Sequence, residues 1–258
     1  MDDPTEETGF IHTEGKKFPV YDPSLKSPCP EIPETSLELI GAGGQMFGPL
    51  TLQNLLLYLP DVKYWEGRWK RGMAHFEERG LKNIIQIPGF HGVSMGIKGT
   101  HFYDRDHPGE GYNIGQGYTA GFLSAYLMYC CANLLPHKYF MFLECDAELV
   151  KDFEHHLSRE LYNVPEDFDF IWVGSCCAQG KTTKHVKGNV YQFDETTGFP
   201  QCSQTLIIAK KALPYIIQTN RDCYASADLS LIFHTLPKLK CYGIIPRLST
   251  QYNNDLPQ

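Results

Sequence analysis

The run KYFMFLECDAEL (138–149) is apolar until it meets two acids, Glu144 and Asp146. Side chains of a strand alternate with period two, so the spacing predicts both carboxylates on one face at the strand's carboxyl end. Ligands of open α/β sheets bind outside those carboxyl ends. Two carboxylates there repel each other unless a cation or a basic group neutralises them. A hard divalent ion, held by one or two carboxylates and shared with substrate phosphates, would do so. The plainer alternative is that both acids favour the amino end of the helix expected to follow, where the helix dipole welcomes negative charge. Asp228 is the single acid of CYASADLSLIFHTL (223–236) and reads locally as a helix N-cap or first-turn acid.

Other residues could act beside these acids. Arg68 and Arg71 lie three apart on a predicted helix, and guanidinium forks suit a diphosphate; the alternative is a solvated helix face. Pro60, Gly89, Phe90, His91 and Gly92 fall in loops after the first two expected strands. Lys181, Lys184, His185 and Lys187 form a basic segment, read as a solvated turn, or as a mobile lid or an acceptor-phosphate contact. The nine cysteines include no C-x-x-C pair, which excludes a zinc knuckle and a thioredoxin-type site. They are expected to be buried free thiols in a reducing cytosol.

The elements that must position these groups follow from periodicity. LQNLLLYL (52–59) predicts a buried strand or short helix. WEGRWKRGMAHFEERG (65–80) predicts a helix stopped by Gly80. NIIQIPGF (83–90) predicts a strand, residues 91–117 a long glycine-rich loop, and 118–135 a helix apolar on all sides and hence buried. Further helices are expected at 150–162, 211–219 and 227–236, and strands at 168–174, 204–209 and 241–246. Strands alternating with helices predict an α/β fold with a largely parallel sheet. The acidic, proline-rich segment 1–47 is expected to be an extended arm, and 48–258 the folded domain.

Composition narrows the class further. Of 258 residues, 42% are hydrophobic and 13% aromatic, which excludes a wholly disordered or collagen-like chain. The net charge of −7 sits almost wholly in the arm, leaving a near-neutral body that argues neither for nor against an anionic partner. No apolar stretch reaches about 18 residues, so no transmembrane helix is expected. The acidic start does not look like a signal peptide, and a cytoplasmic protein is expected.

Beyond these local readings, LPDVKYWEGRWKRGMAHFEERGLKNIIQIPGFHG (59–92) resembles the opening of glycosyltransferase family 25. NIGQGYTAGFLSAY (113–126) is similar to that family's helix motif at Gln116, Gly117, Gly121 and Ser124, with Ala125 where a His is usual. LECDAEL (143–149) resembles its acidic motif, with Cys145 in place of one Asp. FDFIWVG, SADLSL (226–231) and PRLSTQ (246–251) follow in the family's order, so the likeness spans about 50–251.

The resemblance implies a GT-A-like fold: one mostly parallel Rossmann-like sheet flanked by helices, with the extended arm before it. It implies a transferase moving a sugar from a nucleotide-diphosphate donor, UDP-linked, to an acceptor hydroxyl. That acceptor would be a saccharide, a protein or a hydroxymethylated pyrimidine in phage DNA. Mn²⁺ or Mg²⁺ would be held by Asp146, with Glu144 as second ligand or neighbour. Pro60, Arg68, Arg71, Gly89, His91, Gln116 and Gln251 would contact the donor, and Asp228 would face the acceptor as base or orienting group. A thiol is a poor ligand for such hard ions, so Cys145 is expected to point into the core. The departures at Cys145 and Ala125 keep open a nucleotide-sugar-binding protein without transfer, and the proline-rich arm keeps open a viral interaction module docking through it.

Overall fold

The computed structural model describes residues 10–11, 43–58, 63–92, 100–103, 111–114, 116–174, 184–221 and 226–252. After the short β1 (Phe10–Ile11), β2 (Gln45–Phe47) turns back antiparallel into β3 (Leu50–Tyr58). The stretch expected as an arm thus contributes β2 to the sheet, and its Phe47 is fully buried. Helix α1 (Lys63–Glu78) follows and ends at Gly80, whose φ of +87° glycine adopts without strain. It leads to β4 (Ile84–Pro88). The segment expected as one long loop contains a small hairpin, β5 (Thr100–Tyr103) with β6 (Gly111–Ile114). Alternation there is interrupted by glycine and charge, which hid it from a periodicity reading.

Helix α2 (Gln116–Leu134) precedes β7 (Tyr139–Glu144). Although apolar all round, α2 is only partly enclosed: Tyr118 and Leu134 are exposed. Next come β8 (Ala147–Leu149), α3 (Phe153–Leu161) and β9 (Phe170–Gly174). The hairpin β10 (Lys184–Lys187) and β11 (Val190–Phe193) precedes β12 (Phe199–Pro200), which pairs with β1. Strand β13 (Thr205–Ala209), α4 (Leu213–Thr219), α5 (Ala227–His234), β14 (Cys241–Ile244) and β15 (Ser249–Gln251) complete the chain.

The expected α/β class holds, and the main sheet is mixed. Its order is β10-β11-β14-β9-β13-β7-β3-β2, with β4 beside β3 and β15 joining β8 and β9. Strands β4, β3 and β7 run parallel, as do β9 and β14, but β13 lies antiparallel between β7 and β9. Nothing in an apolar run such as TLIIA encodes its direction, so the parallel expectation needed this correction. Helices cover both faces, which is why the central strands read as unbroken apolar runs. Along β7, Phe140 and Phe142 pack with α2, α4 and α5, whereas Met141 and Leu143 pack on the face of α1 and α3.

Cysteine chemistry also departs from expectation. Cys131, Cys145 and Cys241 are free thiols, but Cys130 and Cys202 are disulfide-bonded. Bonding depends on the approach of two Cβ atoms, which spacing along the chain does not reveal. Among the described residues no helix is long and apolar enough to cross a membrane.

Candidate functional site

The parallel strands end together. In the register of β3, Leu57 faces Glu144 of β7 and Tyr58 faces Pro88 of β4, so Glu144 and the Gly89–His91 turn share one edge of the sheet. The strand stops at Glu144. Cys145 and Asp146 form a tight turn into β8, and it is this turn, not strand alternation, that places Asp146. Helix capping is not its role either, since β8 intervenes before α3, whose N-cap is Asp152.

Asp146 is almost fully buried and is held from two sides. Arg68 of α1 donates to its Oδ2 in an ion pair, and Gln251 Nε2 of β15 donates to the same oxygen at 2.8 Å. The Asp146 carbonyl accepts the Tyr252 N–H at 2.9 Å, so β15 is zipped along β8 up to the turn. Helix α1 reaches this turn because one of its faces is made for it. A Cβ on Gly72 would lie 2.5 Å from the Cys145 carbonyl oxygen, so only glycine allows the approach. One turn further, His75 Nε2 accepts the Leu149 N–H at 2.8 Å, and Arg79 donates to the Leu149 carbonyl at 3.2 Å. Residues 68, 72, 75 and 79 follow helical spacing, so a single stripe of α1 grips the segment 145–149. Cys145 packs against the core as expected, and burial pushes its thiol up to about 12.

Glu144 lies close enough to Asp146 to feel its charge. Burial first, then the Asp146 carboxylate, raises its pKa to about 7, against the opposing hydrogen bond from Ser203 Oγ at 2.9 Å and the charge of Arg68. Asp228 adds to the same effect from α5. It is the first-turn acid of that helix, and both its oxygens accept hydrogen bonds: Oδ1 from Ser226 Oγ at 2.6 Å, Oδ2 from the Cys202 N–H at 3.0 Å. Two consecutive residues, Cys202 and Ser203, therefore connect Asp228 to Glu144. Cys202 makes this link at φ +65°, a backbone state that non-glycine residues seldom adopt.

Of the residues expected at the site, Asp146, Glu144, Arg68 and Gln251 come together and Asp228 joins through that link. Arg71 stacks its guanidinium 4.1 Å from the Tyr252 ring centre, beside the group. Gly89 and His91 lie at the end of β4, where the Phe90 N–H donates to Ser124 Oγ at 2.7 Å. Pro60 and Lys181 lie outside the described residues, as does the side chain of Gln116, the first residue of α2. Lys184, His185 and Lys187 stand on the exposed strand β10 rather than in a loop, and Lys184 pairs with Asp194. Ser203 and Cys202 were missed, their one signal being the polar run before β13, and Ser226, at the start of SADLSL, was given no role.

A divalent ion can be tested against this donor set. Among the described residues no group of three or more His, Cys, Asp or Glu could hold a metal. Two carboxylates remain, each with only one oxygen engaged in a described hydrogen bond, and Arg68 supplies the one described cation paired to them. Such a pair fits a hard ion whose remaining oxygens come from phosphate and water.

No protein-family model matches the chain, and no curated protein matches it. Solved structures are similar at a distance. A glycosyltransferase involved in the glycosylation of the major capsid of PBCV-1 has 9% identity and a TM-score of 0.46, covering 78% of this chain and 93% of that one. A197 from STIV has 10% identity and a TM-score of 0.33, covering 76% and 83%. Likeness at that level assigns this chain neither a family nor an activity.

Two outcomes are expected here. Gly72→Ala will destabilise the protein by about 1–3 kcal/mol in urea unfolding, because the clash outweighs the roughly 1 kcal/mol gained in helix propensity. A variant more stable than the wild type would contradict the close approach of α1. Glu144 binds its proton more tightly folded than unfolded, so the stability it contributes is complete below the usual carboxylate range and is lost as pH rises through about 7. Glu144→Gln will remove a fall of up to roughly 3 kcal/mol between those pH values. Parallel stability–pH curves for variant and wild type would show that Glu144 is not so perturbed.

Proposed function

We propose that the chain is a glycosyltransferase that moves a sugar from a UDP-linked donor to an acceptor hydroxyl. The observation that carries this reading is the grouping of Glu144, Asp146, Arg68 and Gln251 at the carboxyl edge of the parallel strands, with Asp228 linked to it. Cleaving a sugar from a diphosphate puts negative charge on the departing group. A site for it needs positive charge that can be shared with phosphate oxygens.

Glu144 and Asp146 would hold Mn²⁺ or Mg²⁺, which when bound supplies that charge against the donor diphosphate. Arg68 stands within reach of the same place. With the negative charge of Asp146 met by another cation, its fork is available to phosphate. Arg71, stacked on Tyr252, lines the approach. Asp228 orients the acceptor hydroxyl. Its two oxygens already accept hydrogen bonds, which fix the carboxylate in place for that role. The acceptor is a hydroxyl-bearing molecule, whether saccharide, protein or modified pyrimidine.

A second reading, donor binding without transfer, draws on one observation: Arg68 already neutralises Asp146 without any ligand. The test separates the two. In a thermal-shift panel of UDP-, GDP- and CMP-sugars with and without Mn²⁺, a metal-dependent rise with UDP-sugars is expected. Asp146→Asn will keep the fold, lose that rise and lose donor cleavage by at least about 100-fold. Binding by the wild type with no turnover against water or a panel of acceptors would favour the second reading. Full turnover by Asp146→Asn would sink the site assignment.

A further inference from the structure

The amide of Gln204 is the least explained polar group near the site. Gln204 is 1% exposed, and neither its side-chain oxygen nor its nitrogen has a hydrogen-bond partner. Its surroundings are otherwise well satisfied: Ser203 donates to Glu144 and Thr205 Oγ1 to Ser249 Oγ at 2.9 Å. Leaving a buried amide unpaired costs its full desolvation, and an apolar side chain of the same shape would avoid that cost.

Where the amide lies follows from register. Thr205 pairs with Leu143 and Leu206 with Phe142 across β13 and β7. The pairing continues one step further, since the Glu144 N–H donates to the Gln204 carbonyl at 3.0 Å. Gln204 and Glu144 are thus cross-strand neighbours. Leu206 and Phe142, two positions back on their strands, face the same side. Cβ atoms of such pairs stand about 5 Å apart. Glu144 and the segment 201–203 are only half-buried, so the edge beside the amide is partly open.

We infer that Gln204 is a ligand contact whose amide, one donor beside one acceptor, completes its hydrogen bonds on the hydroxyls of the donor's sugar ring. The inference rests on the glycosyltransferase reading. A pair of neighbouring sugar hydroxyls offers the complementary acceptor and donor, and a site built to meet hydroxyls discriminates against ligands lacking them.

The experiment compares the wild type with Gln204→Met and, as a second shape, Gln204→Leu. Each is titrated with UDP-glucose, UDP-galactose, UDP-N-acetylglucosamine and UDP itself, all with Mn²⁺, and unfolded thermally without ligand. The expected result is a ligand-free midpoint unchanged or raised in at least one variant, with affinity for one UDP-sugar lowered about tenfold or more. Affinity for UDP should stay unchanged. A midpoint lowered by several degrees in both variants would show that the amide is bonded within the protein or to a buried water, and would overturn the inference. So would unchanged sugar-nucleotide affinity in the variants. If the wild type itself binds none of the four, the glycosyltransferase reading fails and this inference falls with it. If the wild type binds and the variants bind equally, only the inference fails.

Discussion

Two carboxylates and one guanidinium meet where β7 ends, and the rest of the site is arranged around that imbalance. Asp146 is paired with Arg68, whereas Glu144 has a serine hydroxyl and its pKa stands at about 7. Burying carboxylates is expensive unless they are paired, so this grouping cannot persist without strong positional support. The α1 stripe provides it on one side: Arg68 reaches the acid, Gly72 lets the helix backbone close on Cys145, and His75 and Arg79 fasten both backbone groups of Leu149. Strand β15 provides it on the other, through Gln251 and the Tyr252 N–H.

The mixed sheet explains how distant parts of the chain converge there. Because β13 runs antiparallel between β7 and β9, its amino-terminal approach lies at the same edge as the carboxyl ends of its neighbours. A wholly parallel sheet would bring a strand end there instead. The inverted strand brings Cys202, Ser203 and Gln204 to Glu144, and through Cys202 it brings the first turn of α5 with Asp228. A fold whose framework is rigid and apolar on both faces can hold polar groups at one edge in defined positions.

Glu144 and Asp146 stand out in the sequence because they close an apolar run, and Arg68 because it lies on a visible helix, whereas Gln251 and the placing of Asp228 came only from the resemblance to a family. The helix 65–80 and the strands around 52–59, 138–144, 168–174 and 204–209 were legible too, since both faces of the sheet are covered. Strand direction was not, because TLIIA reads identically in either sense. The turn at Cys145-Asp146 was hidden as well, since one residue of irregularity inverts which side chains share a face. Ser203 and Gln204 left no pattern, and their meaning depends on the cross-strand register. The close contact at Gly72 was invisible because a helical glycine reads only as a weak position, while its reason lies 73 residues away.

The carboxylate pair at the end of β7 awaits positive charge. Calorimetric titration of Mn²⁺ with a UDP-sugar at pH 7, in buffers of different ionisation heat, tests it directly. With Glu144 standing at about 7, cation binding should drive off about half a proton, and Glu144→Gln should abolish that release. Binding heat independent of the buffer, or a release unchanged in the variant, would contradict it.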